Sequence, residues 1–192
     1  MNKKLTFLLA LTFLFLFSGS SIVFGGDLQD GVDAYERKDN IEALIQIAED
    51  AYQRQDYKEA LIFYLLSAKQ GHVHGQYNLG WMYSKGQGVP QDYKEAVKWY
   101  RLSAEQGNAS AQFNLGEMYD KGLGVPQDIK EALKWYRLSA EQGNAKGQLL
   151  LGAMYDLGRV VPQDHKEAVK WWKLAAEQGN SNAKKLLDLF TK

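Results

Sequence analysis

At 192 residues the chain has room for one domain with a substantial core, and its 45% hydrophobic and 24% charged residues are those of a folded chain, not a disordered one. Its 23 lysines and arginines balance 23 aspartates and glutamates, with no basic block beyond the first four residues, which excludes nucleic acid or an anionic membrane held by bulk charge. The absence of cysteine excludes disulfides, thiol chemistry and a lipid on an N-terminal cysteine, so packing alone must supply stability.

In chain order, Asn2-Lys3-Lys4 precedes the apolar run LTFLLALTFLFLF and then the small, polar SGSSIVFGG, the three-part layout of a secretory signal peptide. Residues 1–25 are set apart from the fold on this reading, with Val23 and Gly25 as the small residues before the cut. The other reading is an uncleaved anchor, because the apolar stretch through Phe24 approaches the ~20 residues that span a bilayer. Cleavage removes Lys3 and Lys4, and predicts a mildly acidic product in the periplasm or secreted, with no membrane attachment.

Residues 26–71 come next. The stretch DAYERKDNIEALI at 33–45 is echoed by DAYQRQDYKEALI at 50–62, and residues 43–71 read as a shortened helix pair. About three helices are expected from 27 to 71, forming an N-terminal cap on the remainder of the chain.

From residue 72 the chain repeats with a period of 36: 72–107, 108–143 and 144–179, with a partial fourth copy at 180–192. The first two copies are identical at 26 of 36 positions, so one unit was duplicated. A period of this size signals a helical solenoid, in which no unit buries its apolar face alone. Each copy reads as two helices, GQYNLGWMYSK and DYKEAVKWYRLSAEQ in the first, joined by GQGVPQ. Asp92, Asp128 and Asp164 stand three residues before Glu95, Glu131 and Glu167, the spacing of a capping box in which the glutamate reaches back to the cap. Pro90, Pro126 and Pro162 hold the chain extended ahead of those caps, and Gly107, Gly143 and Gly179 follow the helix ends. Leu79, Tyr83, Ala96, Trp99, Tyr100 and Ala104 recur 36 residues on, at three- and four-residue steps that place them on inward faces. Gly80, Gly116 and Gly152 cost about 1 kcal/mol each against alanine in mid-helix, which implies a close neighbour, with Ala96, Ala132 and Ala168 as the expected other half of the contact.

A catalytic site would have to break the repeat, and no such constellation is present: no nucleophile elbow, phosphate loop, HExxH or calcium loop. The histidines, His72, His74 and His165, lack the third ligand that zinc requires and read as solvated, so neither metal nor cofactor is implied. The ladder Trp99, Trp135, Trp171 with Tyr100, Tyr136 and Trp172 reads as core, because every unit repeats it.

The segment AQFNLGEMYDKGLGVPQDIKEALKWYRLSAEQGNA resembles a unit of the Sel-1-like repeat family, relatives of tetratricopeptide repeats, and the resemblance runs from residue 72 to 183. It implies an all-α, right-handed superhelix of antiparallel helix pairs, with the first helix of each pair lining a concave face. It also implies a non-enzymatic, exported scaffold of the bacterial type, monomeric, that presents this face to a protein or peptide partner in an adaptor or regulatory role. By the same likeness the lining is His74, Tyr77, Asn78, Trp81 and Ser84, then Ser110, Phe113, Asn114, Glu117 and Asp120, then Lys146, Leu149, Leu150, Ala153 and Asp156. Trp81 stands out as an interface anchor, with packing under the N-terminal helices as its other reading, and Asn78 and Asn114 match as a clamp for an extended peptide. An alternative function is a cell-wall activity toward β-lactam or peptidoglycan ligands, as in secreted relatives whose cysteine framework this chain lacks. Val160 departs from the pattern where Gly88 and Gly124 stand, so the third turn is not expected to keep their backbone. Residues 180–192 form a capping helix with a wet outer side.

Overall fold

The computed structural model describes residues 41–190, which are helical and contain no strand. The expected signal segment, its expected cleavage and the first part of the predicted N-terminal cap lie outside these residues. Nine helices make up the described chain: α1 (Ile41–Gln53), α2 (Tyr57–Lys69), α3 (Val73–Lys85), α4 (Tyr93–Glu105), α5 (Ala109–Lys121), α6 (Ile129–Glu141), α7 (Ala145–Leu157), α8 (His165–Glu177) and α9 (Ser181–Phe190). Each packs chiefly against the helix before and the helix after it, the one-dimensional contact order of an all-α repeat superhelix.

Second helices begin on a double cap. Asp92 Oδ1 accepts from the amides of Lys94 and Glu95 at 2.8 and 3.1 Å, and Asp128 and Asp164 repeat the arrangement. The glutamates do not reach back as the spacing predicts. The amide each would have bonded is already given to a carbonyl of the preceding helix: Asp92 to Tyr83, Asp128 to Tyr119 and Asp164 to Tyr155. Freed from that role, Glu95 accepts from Trp99 Nε1 at 3.1 Å and pairs with Lys98. The amide of the cap residue thus ties the first helix to the second.

The repeated aromatics are core in all but one place: Tyr100, Tyr136 and Trp172 are each 1% exposed and Trp99 and Trp135 are buried, but Trp171, in the last full unit, is only half-buried. They explain the mid-helix glycines. A Cβ on Gly116 would sit 2.7 Å from Tyr136 Cδ1, and one on Gly152 would sit 2.6 Å from Trp172 Nε1. The close neighbour is therefore an aromatic ring, not the alanine expected from sequence, although Ala168 does bring its carbonyl to Gly152.

A relay of glutamines joins the units. Gln106, Gln142 and Gln178, at the ends of second helices, donate to Gln76, Gln112 and Gln148 at 2.6, 2.6 and 2.8 Å. Each of these buried partners donates in turn to the carbonyl of Ala68, Ala104 or Ala140 in the previous unit. Buried amides satisfied this way fix the register of neighbouring units.

Val160 keeps the left-handed backbone of its glycine counterparts: its φ is 59°, against 72° at both Gly88 and Gly124. The expected change of backbone does not occur, because the hydrogen bonds flanking the turn, Arg159 to Met154 and Asp164 to Tyr155, hold its two ends as in the other units. A β-branched residue there carries strain of about 1–2 kcal/mol. Val160→Gly is therefore expected to raise stability by ~1 kcal/mol after the entropy of the added glycine, a gain of roughly 2–4 °C in Tm by calorimetry. A lower Tm would show that the valine contributes packing that outweighs its backbone.

Candidate functional site

The first helices share one face, and the repeat register sorts it into rows. Glu49, Trp81, Glu117 and Ala153 occupy one row, since α1 and α3 are offset by 32 residues and later units by 36. Tyr52, Ser84, Asp120 and Asp156 form the row one residue short of the helix ends. Glu49 and Tyr52 escaped the sequence reading, although the shortened unit at 43–71 contains the offset that places them.

Trp81 is half-buried. Its Nε1 donates to Tyr52 Oη at 3.3 Å, Tyr52 donates to Gln87 at 3.0 Å, and Lys85 Nζ lies 4.7 Å from the ring centre. The indole is thus held from the side of α1 while one face remains a cation site. His74 is exposed with its ring 5.7 Å from that of His72. His72 itself is not simply solvated: its side chain is 15% exposed, caps α3 by accepting from Gly75, and meets Glu42 at 3.3 Å. His165 pairs with Asp156 at 2.7 Å. Among the described residues no group of three or more His, Asp or Glu could hold a metal.

Tyr77 and Phe113 lean on the second helices, their rings 6.1 Å from Tyr100 and 5.9 Å from Tyr136. Phe113 is buried beneath the face, with Lys146 Nζ 5.8 Å from its ring. Asn114, matched with Asn78 in sequence, is also buried, whereas Asn78 is half-buried. Tyr77 of α3 and Tyr100 of α4 both reach the Asn114 side chain. Ser84 is buried and links Trp81 O at 2.8 Å to Tyr100 Oη at 3.2 Å. Glu117 pairs with Lys121 at 2.5 Å, and Asp120 is bridged at 3.0 Å by Arg159, a residue of the atypical third turn that sequence reasoning left unused. Lys146 is exposed, Ser110, Leu149, Leu150 and Ala153 are half-buried, and the Leu149 carbonyl accepts from Trp172 Nε1 at 3.2 Å.

Burial raises the pKa of Tyr100 and Tyr136 well above the ordinary tyrosine range, and Glu117 opposes ionisation of both. The neutral form of Tyr136 is kept chiefly by desolvation, with the nearby Asp120 carboxylate adding to it. Because the folded-state pKa is the raised one, this contribution is complete below the unfolded value near 10 and is lost as pH climbs past it. Stability is expected to be flat to about pH 9 and to fall above about 10 by up to ~1.4 kcal/mol per pH unit for each such tyrosine. Tyr136→Phe should soften the alkaline fall in urea unfolding at pH 8 and 11 while changing little at pH 8; an unaltered slope would sink it.

Known proteins share this geometry. A family model for the Sel1 repeat matches residues 49–72, 73–108, 109–144 and 145–180. No curated protein matches the chain. Among solved structures, a protective antigen of uropathogenic Escherichia coli strains with an SLR fold is 36% identical, covering 83% of this chain and 35% of that one, with a TM-score of 0.75. A Sel1 repeat protein from Oxalobacter formigenes is 36% identical over 76% of this chain and 60% of that one, TM-score 0.73. Helicobacter pylori cysteine rich protein B shares the fold at 22% identity, 69% and 95% coverage and a TM-score of 0.55. The chain thus spans about a third and about three fifths of the length of the first two.

Proposed function

Because this chain belongs to the Sel1 repeat family, whose repeats serve as protein-interaction scaffolds and are generally non-catalytic, we propose that its first-helix face is a concave groove that binds a protein or peptide in an adaptor role. One observation carries the reading. Of the ten positions at which the first two units differ, eight (72, 73, 74, 75, 77, 81, 84 and 87) fall in the first helix, its cap and its turn, and two (93 and 97) in the second helix. The second helices solve the same packing problem three times, so their faces are fixed. The first helices vary while keeping their own backbone, and the freedom is spent on groups such as Trp81 and Glu117 that point along one face.

The proposal extends to location: residues 1–25 direct export, and the working protein begins near residue 26. Purified protein carrying a C-terminal tag should capture a partner from an envelope extract of its own cells. Trp81→Ala combined with Lys146→Glu should reduce that capture at least tenfold, and mass spectrometry of the bait reads its N-terminus in the same sample. Undiminished capture by the double variant counts against this face, and a bait starting at Met1 counts against cleavage.

A further inference from the structure

The first-helix face changes chemistry along its length. In its N-terminal half, the row Glu49, Trp81, Glu117 sets an indole between two carboxylates on successive first helices. Glu49 is exposed and forms no ion pair among the described residues. The Trp81 ring and the Glu117 carboxylate each hold a lysine from one turn along their own helix, Lys85 and Lys121. These are exposed contacts of the kind worth ~1 kcal/mol or less, and they stand in for a ligand cation that a partner could supply. Behind them the Asn114 side chain is 8% exposed and is covered by Tyr77 and Tyr100.

In the C-terminal half the same rows turn aliphatic. The row of Trp81 and Glu117 continues as Ala153 and Leu189, and the row of Lys85 and Lys121 continues as Leu157. Leu157 and Leu189 are each 71% exposed, the largest values among the exposed large hydrophobics of the described residues. Half-buried Leu150 and Leu186 hold the positions matching Asn78 and Asn114, one turn before Ala153 and Leu189. Leu150 and Leu186 also pack on the core beneath them, whereas Leu157 stands where two other units have lysine and Leu189 where they have Trp81, Glu117 and Ala153.

Resting on the reading of this face as the binding groove, we infer that its partner is an extended segment that sets a lysine or arginine among Glu49, Trp81 and Glu117 and an aliphatic side chain against Leu157 and Leu189. Successive first helices stand about 10 Å apart and an extended chain advances about 3.3 Å per residue, so the two side chains are roughly eight residues apart. A carboxylate in place of the cation would meet two like charges and the negative face of the indole, and is disfavoured.

The test uses fluorescein-labelled twelve-residue peptides with two lysines at one end and two leucines at the other, made in both chain directions, and counterparts with glutamate for lysine. Anisotropy with the purified chain at low salt should show one lysine–leucine peptide binding at least tenfold tighter than its glutamate counterpart. Glu49→Lys with Glu117→Lys, and separately Leu157→Asp with Leu189→Asp, should each weaken it at least tenfold. Lys134→Glu with Leu138→Asp, on the second helices, should leave it unchanged. Equal or better binding of the glutamate peptides, or no binding in either direction, overturns the inference about the partner. If glutamate peptides win and first-helix substitutions abolish their binding, the groove stands and only its partner's charge is misassigned. Loss through the second-helix pair alone would overturn the groove itself.

Discussion

Trp172→Ala should cost about 3–5 kcal/mol, the usual range for emptying a buried aromatic site, and lower Tm by roughly 10 °C. The ring is 1% exposed, lies against Gly152, donates to the Leu149 carbonyl and stacks on Phe190 at 5.2 Å. One residue thus joins α7, α8 and α9. A loss of this size is at least about a fifth of the stability of a typical domain of ~5–15 kcal/mol. It should also be local, because each helix packs chiefly against its sequence neighbours. Amide exchange in α7–α9 should quicken while α1–α4 keep their protection. Equal quickening in all helices would mean that the array unfolds as one cooperative body.

Gly124→Ala should destabilise by about 2–5 kcal/mol, read from the urea midpoint, and the sum has two separate sources. At φ 72° any side chain costs about 1–2 kcal/mol in backbone strain alone. The added Cβ would then lie 2.3 Å from the Tyr93 carbonyl oxygen and 2.4 Å from its carbon, backbone atoms in the first turn of α4 that cannot step aside. The edge between the two units must open, at a further ~1–3 kcal/mol for overpacking. An unmoved midpoint would sink the contact.

The second helices were nearly transparent in the sequence. Caps, prolines and aromatics recur there because each unit must repeat the same contacts, and the structure places Tyr100, Tyr136 and Trp172 in the core as their repetition implied. What the glutamates do was not legible, since the spacing cannot show that the Asp92 amide is spoken for by Tyr83. The first-helix face was harder for a related reason. Tyr77 and Phe113 differ between units and so resemble free positions, yet both are rings because both stack on a second-helix tyrosine. Asn78 and Asn114 are identical in sequence and unlike in exposure: the preceding first helix carries Ile45 in the first case and its counterpart Tyr77, long enough to reach the amide, in the second. Such differences live between helices, where a single chain's periodicity carries no signal.

The glutamine relay makes the junctions between units interchangeable. Gln106 to Gln76 to Ala68 is the same join as Gln142 to Gln112 to Ala104, so a gene that gained or lost one 36-codon unit in this region would need no new interface. Copy number could then drift with little penalty to folding, while the spacing between the acidic and the aliphatic ends of the groove would lengthen or shorten by one fixed step. The array would act as a ruler, and selection on its length would be selection on the length of whatever lies along it.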